Sequence, residues 1–264
     1  MILDKKKCFF LFFTLLLSSF SSFATTEKKM IKVWTYYNFP PFVIDEKQKK
    51  GLHFDFVALL NQKFAEKYHF EGVKLPRRRI DLLLTMQSQK NSVNGIVAWV
   101  NPIWFKDKNR KTYFWTNTIF TDQNEVVSHR DRPLRYDNAS SLIGLNLGGV
   151  FGHRYVNIDD LVKKDKITRH NVATEKHNLS KLLLKRIDVT IVPKSAMLYL
   201  LEDMNLIGKI HISSKAHQTY TRHLMIPKHH PKLAEDLSAF IKTLPTNEKW
   251  QNLLHDYNLE GLTY

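Results

Sequence analysis

Residues 33–44, VWTYYNFPPFVI, decide the fold when they are joined to residues 51–60, GLHFDFVALL. Val33 to Thr35 reads as a buried strand. Tyr36 to Pro41 is an aromatic loop stiffened by two prolines, which fix φ and remove backbone donors. Gly51 supplies a turn, and Phe56, Val57, Leu60 and Phe64 then recur on one face of a helix predicted over 54–68. A strand that ends in such a loop and continues into a helix opens an α/β sheet. Open sheets of that kind place ligands beyond the carboxyl ends of their strands.

Upstream of this stretch lies an export signal. Lys5, Lys6 and Lys7 give a positive start, residues 8–17 are almost continuously apolar, and Ser22 and Ala24 are small residues at peptidase-read positions. The reading places cleavage after Ala24 and the mature chain in the periplasm. The apolar run is shorter than the roughly twenty residues of a membrane span, and an uncleaved anchor is the alternative. The single cysteine, Cys8, falls within this segment. The mature chain is therefore expected to have no disulfide and no cysteine-based metal site.

Downstream, strand and helix signals alternate. Strands are predicted at 31–35, 70–75, 93–100, 142–150, 187–192 and 224–226, and helices at 79–87 and 195–202. Leu233, Leu237, Phe240, Ile241 and Leu244 trace another helical face, and Thr246 is read as the cap of a last helix through Trp250 and Tyr257. Two strand–helix sets joined by extended segments predict an α/β chain of two lobes. The formal charge of +15 favours anionic partners. The cations are scattered apart from 47–50 and 77–79, and an exported chain rarely meets nucleic acid, so no nucleic-acid role is expected. The twelve histidines show no compact ligand spacing, and neither a metal nor a cofactor is predicted. Hydrolase and phosphate-loop motifs are also missing from the sequence.

Several ordered motifs resemble those of the family 3 extracytoplasmic solute-binding proteins. They are Asn38 to Phe42 with Gly51 and Asp55; Pro76 and Arg79; Arg110 with Trp115 and Thr116; 142–152, LIGLNLGGVFG; Lys185 to Asp188 with Ser195; and His223 to Lys228. The resemblance covers about residues 31–260. It implies the type II periplasmic-binding-protein fold: two lobes, each a mixed sheet flanked by helices, linked by two hinge crossovers near 118–123 and 217–221. Lobe 1 would comprise 25–119 and 221–264, and lobe 2 would comprise 120–220. It further implies a monomer that closes on a small polar or anionic ligand and serves an ABC-type permease.

The same resemblance nominates the ligand-binding residues. Arg110 matches the arginine that forks a carboxylate, a task suited to a planar guanidinium, and Phe39 matches an aromatic shelf. Trp99 and Asn101 fall where hydroxyl residues are usual. Gly152, His153 and Arg154 occupy the turn that presents amides to an anion, and Lys194 lies beside the second-lobe anchor. The family's ammonium-binding aspartate is replaced by Pro193, so an α-amino acid loses an anchor unless Asp159 or Glu202 reaches in. Two further classes follow from these departures. One is a sensory or partner-binding module with a degenerate pocket. The other, given less weight, is a dehydratase-like enzyme, which would need a general acid that only His153 offers. No catalytic role is expected.

Overall fold

A computed structural model describes residues 28–90 and 94–264. The segment read as a signal peptide lies outside these residues. In chain order the elements are β1 (Lys29–Thr35), α1 (Leu52–Lys63), β2 (Tyr68–Lys74), α2 (Arg77–Lys90), β3 (Gly95–Val100), β4 (Tyr113–Trp115), β5 (Phe120–His129), β6 (Asn146–Val150), α3 (Ile158–Lys163), β7 (Thr168–Val172), α4 (Glu175–Leu183), β8 (Val189–Pro193), α5 (Lys194–Asp203), β9 (Ile210–Ile212), β10 (Gln218–Pro227), α6 (Pro231–Ile241) and α7 (Glu248–Asp256). The strands follow the order β2-β1-β3-β10-β5-β8-β6-β7, with β4 on β10 and β9 on β5.

Two parallel sets, β2-β1-β3 and β7-β6-β8, are joined by antiparallel β5 and β10. β10 changes partner midway. Its residues 218–222 pair with β5, while 223–227 pair with β3 and β4. The two halves of the molecule therefore meet at Arg222 and His223. β3 carries one extra residue opposite β10, because Val97 and Val100 face Met225 and His223. Trp99 absorbs the mismatch at φ 69°, a left-handed conformation that costs a bulky residue roughly 1–2 kcal/mol. This bulge sends the indole into the core and leaves the Trp99 carbonyl facing the junction.

The main core is built around Phe42, Phe56, Trp99, Phe120 and Trp250, all buried. Trp99 stacks on Trp250 with ring centroids 6.5 Å apart, and its Nε1 donates to His53 Nδ1 at 3.2 Å. A smaller core beneath the second sheet contains Leu142, Leu147, Tyr155, Ile158 and Ile191. Gly51, at φ 134°, begins α1 because a Cβ there would stand 2.6 Å from the Phe42 carbonyl oxygen. That places the helix start at Leu52 rather than 54, and Tyr68 belongs to β2 rather than to the helix. The strand predicted at 142–150 begins only at Asn146, after a 3₁₀ turn over Ala139–Leu142 capped by Asn138. The cap of α7 is Asn247, which accepts from Trp250 N at 3.0 Å, while Thr246 lies in a preceding 3₁₀ turn. β4, β5, β7, β9 and α4 were not anticipated. β7 reads TRHNV, an edge strand with largely exposed polar side chains, and has no apolar alternation to signal it.

Candidate functional site

The junction is organised by one buried ion pair. Arg222 and Asp122 have side chains only 1% and 0% exposed. Arg222 Nε donates to Asp122 Oδ2 at 2.8 Å and Nη2 lies 2.6 Å from the same oxygen. Nη1 donates to the carbonyl that the Trp99 bulge presents, at 2.9 Å. The guanidinium carbon also sits 4.8 Å from the ring centroids of Tyr37 and Phe42 and 5.2 Å from that of Tyr220. Such placement over ring faces is attractive for a cation. Burial opposes the charge on Arg222, but Tyr37, Asp122 and Tyr220 more than offset it, so its pKa is raised. Asp122 further accepts from Ser195 Oγ at 2.7 Å and Ser195 N at 3.1 Å, at the start of α5. A carboxylate at a helix N-terminus is stabilised by the free amides and the dipole there.

The turn after β6 is also held by the chain's own side chains. Arg169 on β7 donates to the carbonyls of Val150 and His153 at 3.1 and 2.9 Å and pairs with Asp159 at 2.7 Å. Asp159 in turn accepts from Tyr155 N at 3.1 Å, and His153 N is bonded to Val150 O. The turn is separated from α3, which starts only at Ile158. The amides of His153 and Tyr155 are thus already engaged within the chain.

Glu175, at the start of α4, stands apart. Its side chain is 2% exposed, and Oε1 has no hydrogen-bond partner among the described residues. His153 stands beside it, with Nδ1 3.9 Å from Oε1. Burial pushes the Glu175 carboxyl up to about 7, with its own backbone amide offsetting only part of the effect. Burial, aided by the positive charge of Arg169, lowers His153 to about 4. Tyr155, buried beside them, has a hydroxyl that likewise lacks a partner among the described residues, and burial raises it to about 12. A buried carboxyl near neutrality next to a neutral imidazole can accept a donor-rich group or hold a proton.

No family model matches the chain, and no curated protein matches it. Solved structures do. An ancestral arginine-binding protein bound to arginine superposes with a TM-score of 0.63 at 14% identity, covering 87% of this chain and 98% of that one. The GluR0 ligand-binding core from Nostoc punctiforme in complex with L-glutamate gives 0.62 at 13%, covering 87% and 98%. The ancestral amino acid-binding protein AncCDT-1, a precursor of cyclohexadienyl dehydratase, gives 0.60 at 13%, covering 86% and 94%. The fold is that of the two-lobed periplasmic binding proteins.

Within this fold the residues singled out in the sequence scatter. Phe39 is buried against Tyr37 and Phe42. Trp99 offers the junction its carbonyl and not its ring. Asn101 caps the turn that follows β3 and donates to Thr221 O at 2.9 Å. Arg110 is exposed on a turn whose backbone is tied to Asp107, and its charge reaches His223 at the first sheet. Gly152 and Arg154 are exposed. Lys194 donates to Gly261 O at 2.7 Å. Of the set, His153 lies beside Glu175. Neither Asp159 nor Glu202 supplies the carboxylate missing at Pro193, because they are bonded to Arg169 and Asn258. Asp122 reaches the start of α5 instead, and Arg222 already neutralises it.

Asp122, Arg222, Tyr155 and Glu175 were not selected from the sequence. A lone arginine within TYTRHLMI was a usable signal, since a charge inside an apolar strand must be paired. Glu175 gave none, because an acidic residue in the first turn of a helix is ordinary.

Proposed function

We propose that the chain is a family 3 extracytoplasmic solute-binding protein, exported to the periplasm. In this reading 25–119 and 221–264 form one lobe and 120–220 the other, and they close as a monomer on a small polar, amino-acid-like solute for delivery to an ABC-type permease. One observation carries the reading. β10 changes partner at Arg222 and His223, so both sheets converge there on a buried polar and aromatic junction. A chain that crosses twice between lobes can hinge at those crossings. The fold's likeness to proteins described as bound to arginine and to L-glutamate supports a small amino-acid-like solute. Binding rather than catalysis is the reading. A thermal-shift screen against amino acids, dicarboxylates and polyamines tests it, because a ligand at a hundred times its Kd stabilises by about 2.7 kcal/mol. Small-angle scattering should then show a smaller radius of gyration at saturation. A flat response across the whole panel overturns the proposal.

A second reading is favoured by the Arg222–Asp122 pair and by the capture of the 152–155 turn. With both anchors filled internally, the molecule would act as a sensory or partner-binding module whose cleft takes no solute. That reading expects the flat screen.

A further inference from the structure

We infer that Glu175, Tyr155 and His153 form a recognition site for a protonated amine or amidine group, on the second-lobe side of the hinge. The inference rests on the solute-binding reading and names the ligand chemistry that reading leaves open. Three observations carry it. First, Glu175 Oε1 and the Tyr155 hydroxyl are buried polar atoms with no hydrogen-bond partner among the described residues. Buried polar atoms without partners cost stability, and native chains rarely keep them without a use.

Second, both unmet oxygens can accept a hydrogen bond. Glu175 Oε1 accepts, the Tyr155 hydroxyl can accept, and His153, neutral at pH 7, has a ring nitrogen 3.9 Å from Glu175 Oε1. The complementary group is rich in N–H donors. An anion would instead meet a carboxyl oxygen. Third, the neighbouring cations are committed elsewhere. Arg169 holds Asp159 and two carbonyls, and Arg222 holds Asp122. Neither is spent on Glu175, so a ligand cation can take the place of the proton that this carboxyl holds. The same chain shows the chemistry that works in this setting, since Arg222 is itself a guanidinium held by one carboxylate and by tyrosine faces. The side chain of His153, beside Glu175, is 37% exposed to solvent.

The test is calorimetric titration of the purified protein with L-arginine, putrescine and succinate, repeated on Glu175→Gln and Tyr155→Phe. The expected result is that an amine probe binds the parent, weakens at least tenfold in Glu175→Gln and weakens about threefold in Tyr155→Phe. Succinate should bind neither variant better than the parent. Should Glu175→Gln fail to fold, Tyr155→Phe decides alone, because it removes only an unbonded hydroxyl. Equal amine binding by parent and variants overturns the inference. Binding of succinate without binding of either amine also overturns it, yet leaves the solute-binding reading standing. No binding of any probe overturns the inference, and the wider thermal-shift panel then judges that reading separately.

Discussion

Asp122 and Glu175 are both buried carboxyls in the second half of the fold, and they have opposite surroundings. Asp122 receives a guanidinium, the Ser195 hydroxyl and amide, and the Gln123 amide. Glu175 receives no partner on Oε1 and sits near a neutral histidine. Burial depth is the same, so it cannot explain the difference. What separates them is whether the chain replaces the water that folding strips away. A carboxylate compensated by a cation becomes part of the frame. One left uncompensated holds its proton toward neutrality and is free to respond to a ligand.

The harshest way to break the contrast is to strip Asp122 of its cation. Arg222→Met should destabilise the protein by about 3–5 kcal/mol, because it leaves an unpaired buried charge. Urea unfolding at pH 7 measures this. Replacing both partners, as in Arg222→Met with Asp122→Asn, should recover a large part of the loss. If the double variant is no more stable than the single one, Asp122 and Arg222 do not act as one unit.

Glu175→Gln approaches from the other side. The folded carboxyl holds its proton up to about 7, against an ordinary 4.5. Between those values the unfolded chain has released the proton and the folded chain has not, so stability falls as pH rises through that window and is level above it. The full difference is on the order of 3 kcal/mol. The histidines work in the opposite direction: His53, lowered to about 3 by burial, and His153, lowered to about 4, cost stability as pH falls below 6.5. Subtracting the variant's pH profile from the parent's cancels them, provided the other groups near the site (Tyr155, Arg169, Asp159, His217 and Tyr220) behave alike in both. Parallel urea midpoints from pH 4.5 to 8 would show that Glu175 is solvated after all.

Much of the frame was legible in advance, while most of the site was not. Phe56, Leu60, Leu237 and Ile241 lie on faces whose period follows from burial, so sequence spacing reports them directly. The cap of the last helix is local in the same way, with an error of one residue between Thr246 and Asn247. Asp122 and Arg222 are separated by 100 residues, and nothing local to either names its partner. The Trp99 conformation depends on β10 lying one residue out of step, which is a property of two strands and not of one. Glu175 looks like any acidic first-turn residue until the fold buries it. The family resemblance thus favoured Arg110 and passed over the groups that the tertiary structure encloses.

Arg169 offers a smaller lever on the same comparison. Arg169→Met removes the donors that hold the Val150 and His153 carbonyls, and the cost should be about 1–2 kcal/mol. The more telling readout is His153 itself. Arg169's charge contributes to lowering its pKa, so an NMR titration of the variant should move His153 upward, toward 6.5. An unmoved titration would mean that burial alone sets it.

The smallest effect is expected at Arg110, and it sharpens the contrast by its size. The residue is exposed and sits on a turn organised by Asp107, which accepts from the amides of Lys111, Thr112 and Tyr113 and from Trp115 Nε1. Its own side chain is not needed for that turn, so Arg110→Ala should change unfolding stability by no more than about 0.5 kcal/mol. Its effect on ligand binding is the more informative quantity. A guanidinium that forks a buried carboxylate loses roughly 2–4 kcal/mol of affinity on truncation, whereas a solvent-facing cation changes mainly the salt dependence of association. Titrating Arg110→Ala with whichever probe binds the parent, at low and at physiological salt, separates the two. A loss that vanishes at higher salt places Arg110 at the rim. A loss that persists means that lobe closure carries this turn onto the solute, and that the sequence motif names a contact which the enclosed carboxyls alone do not account for.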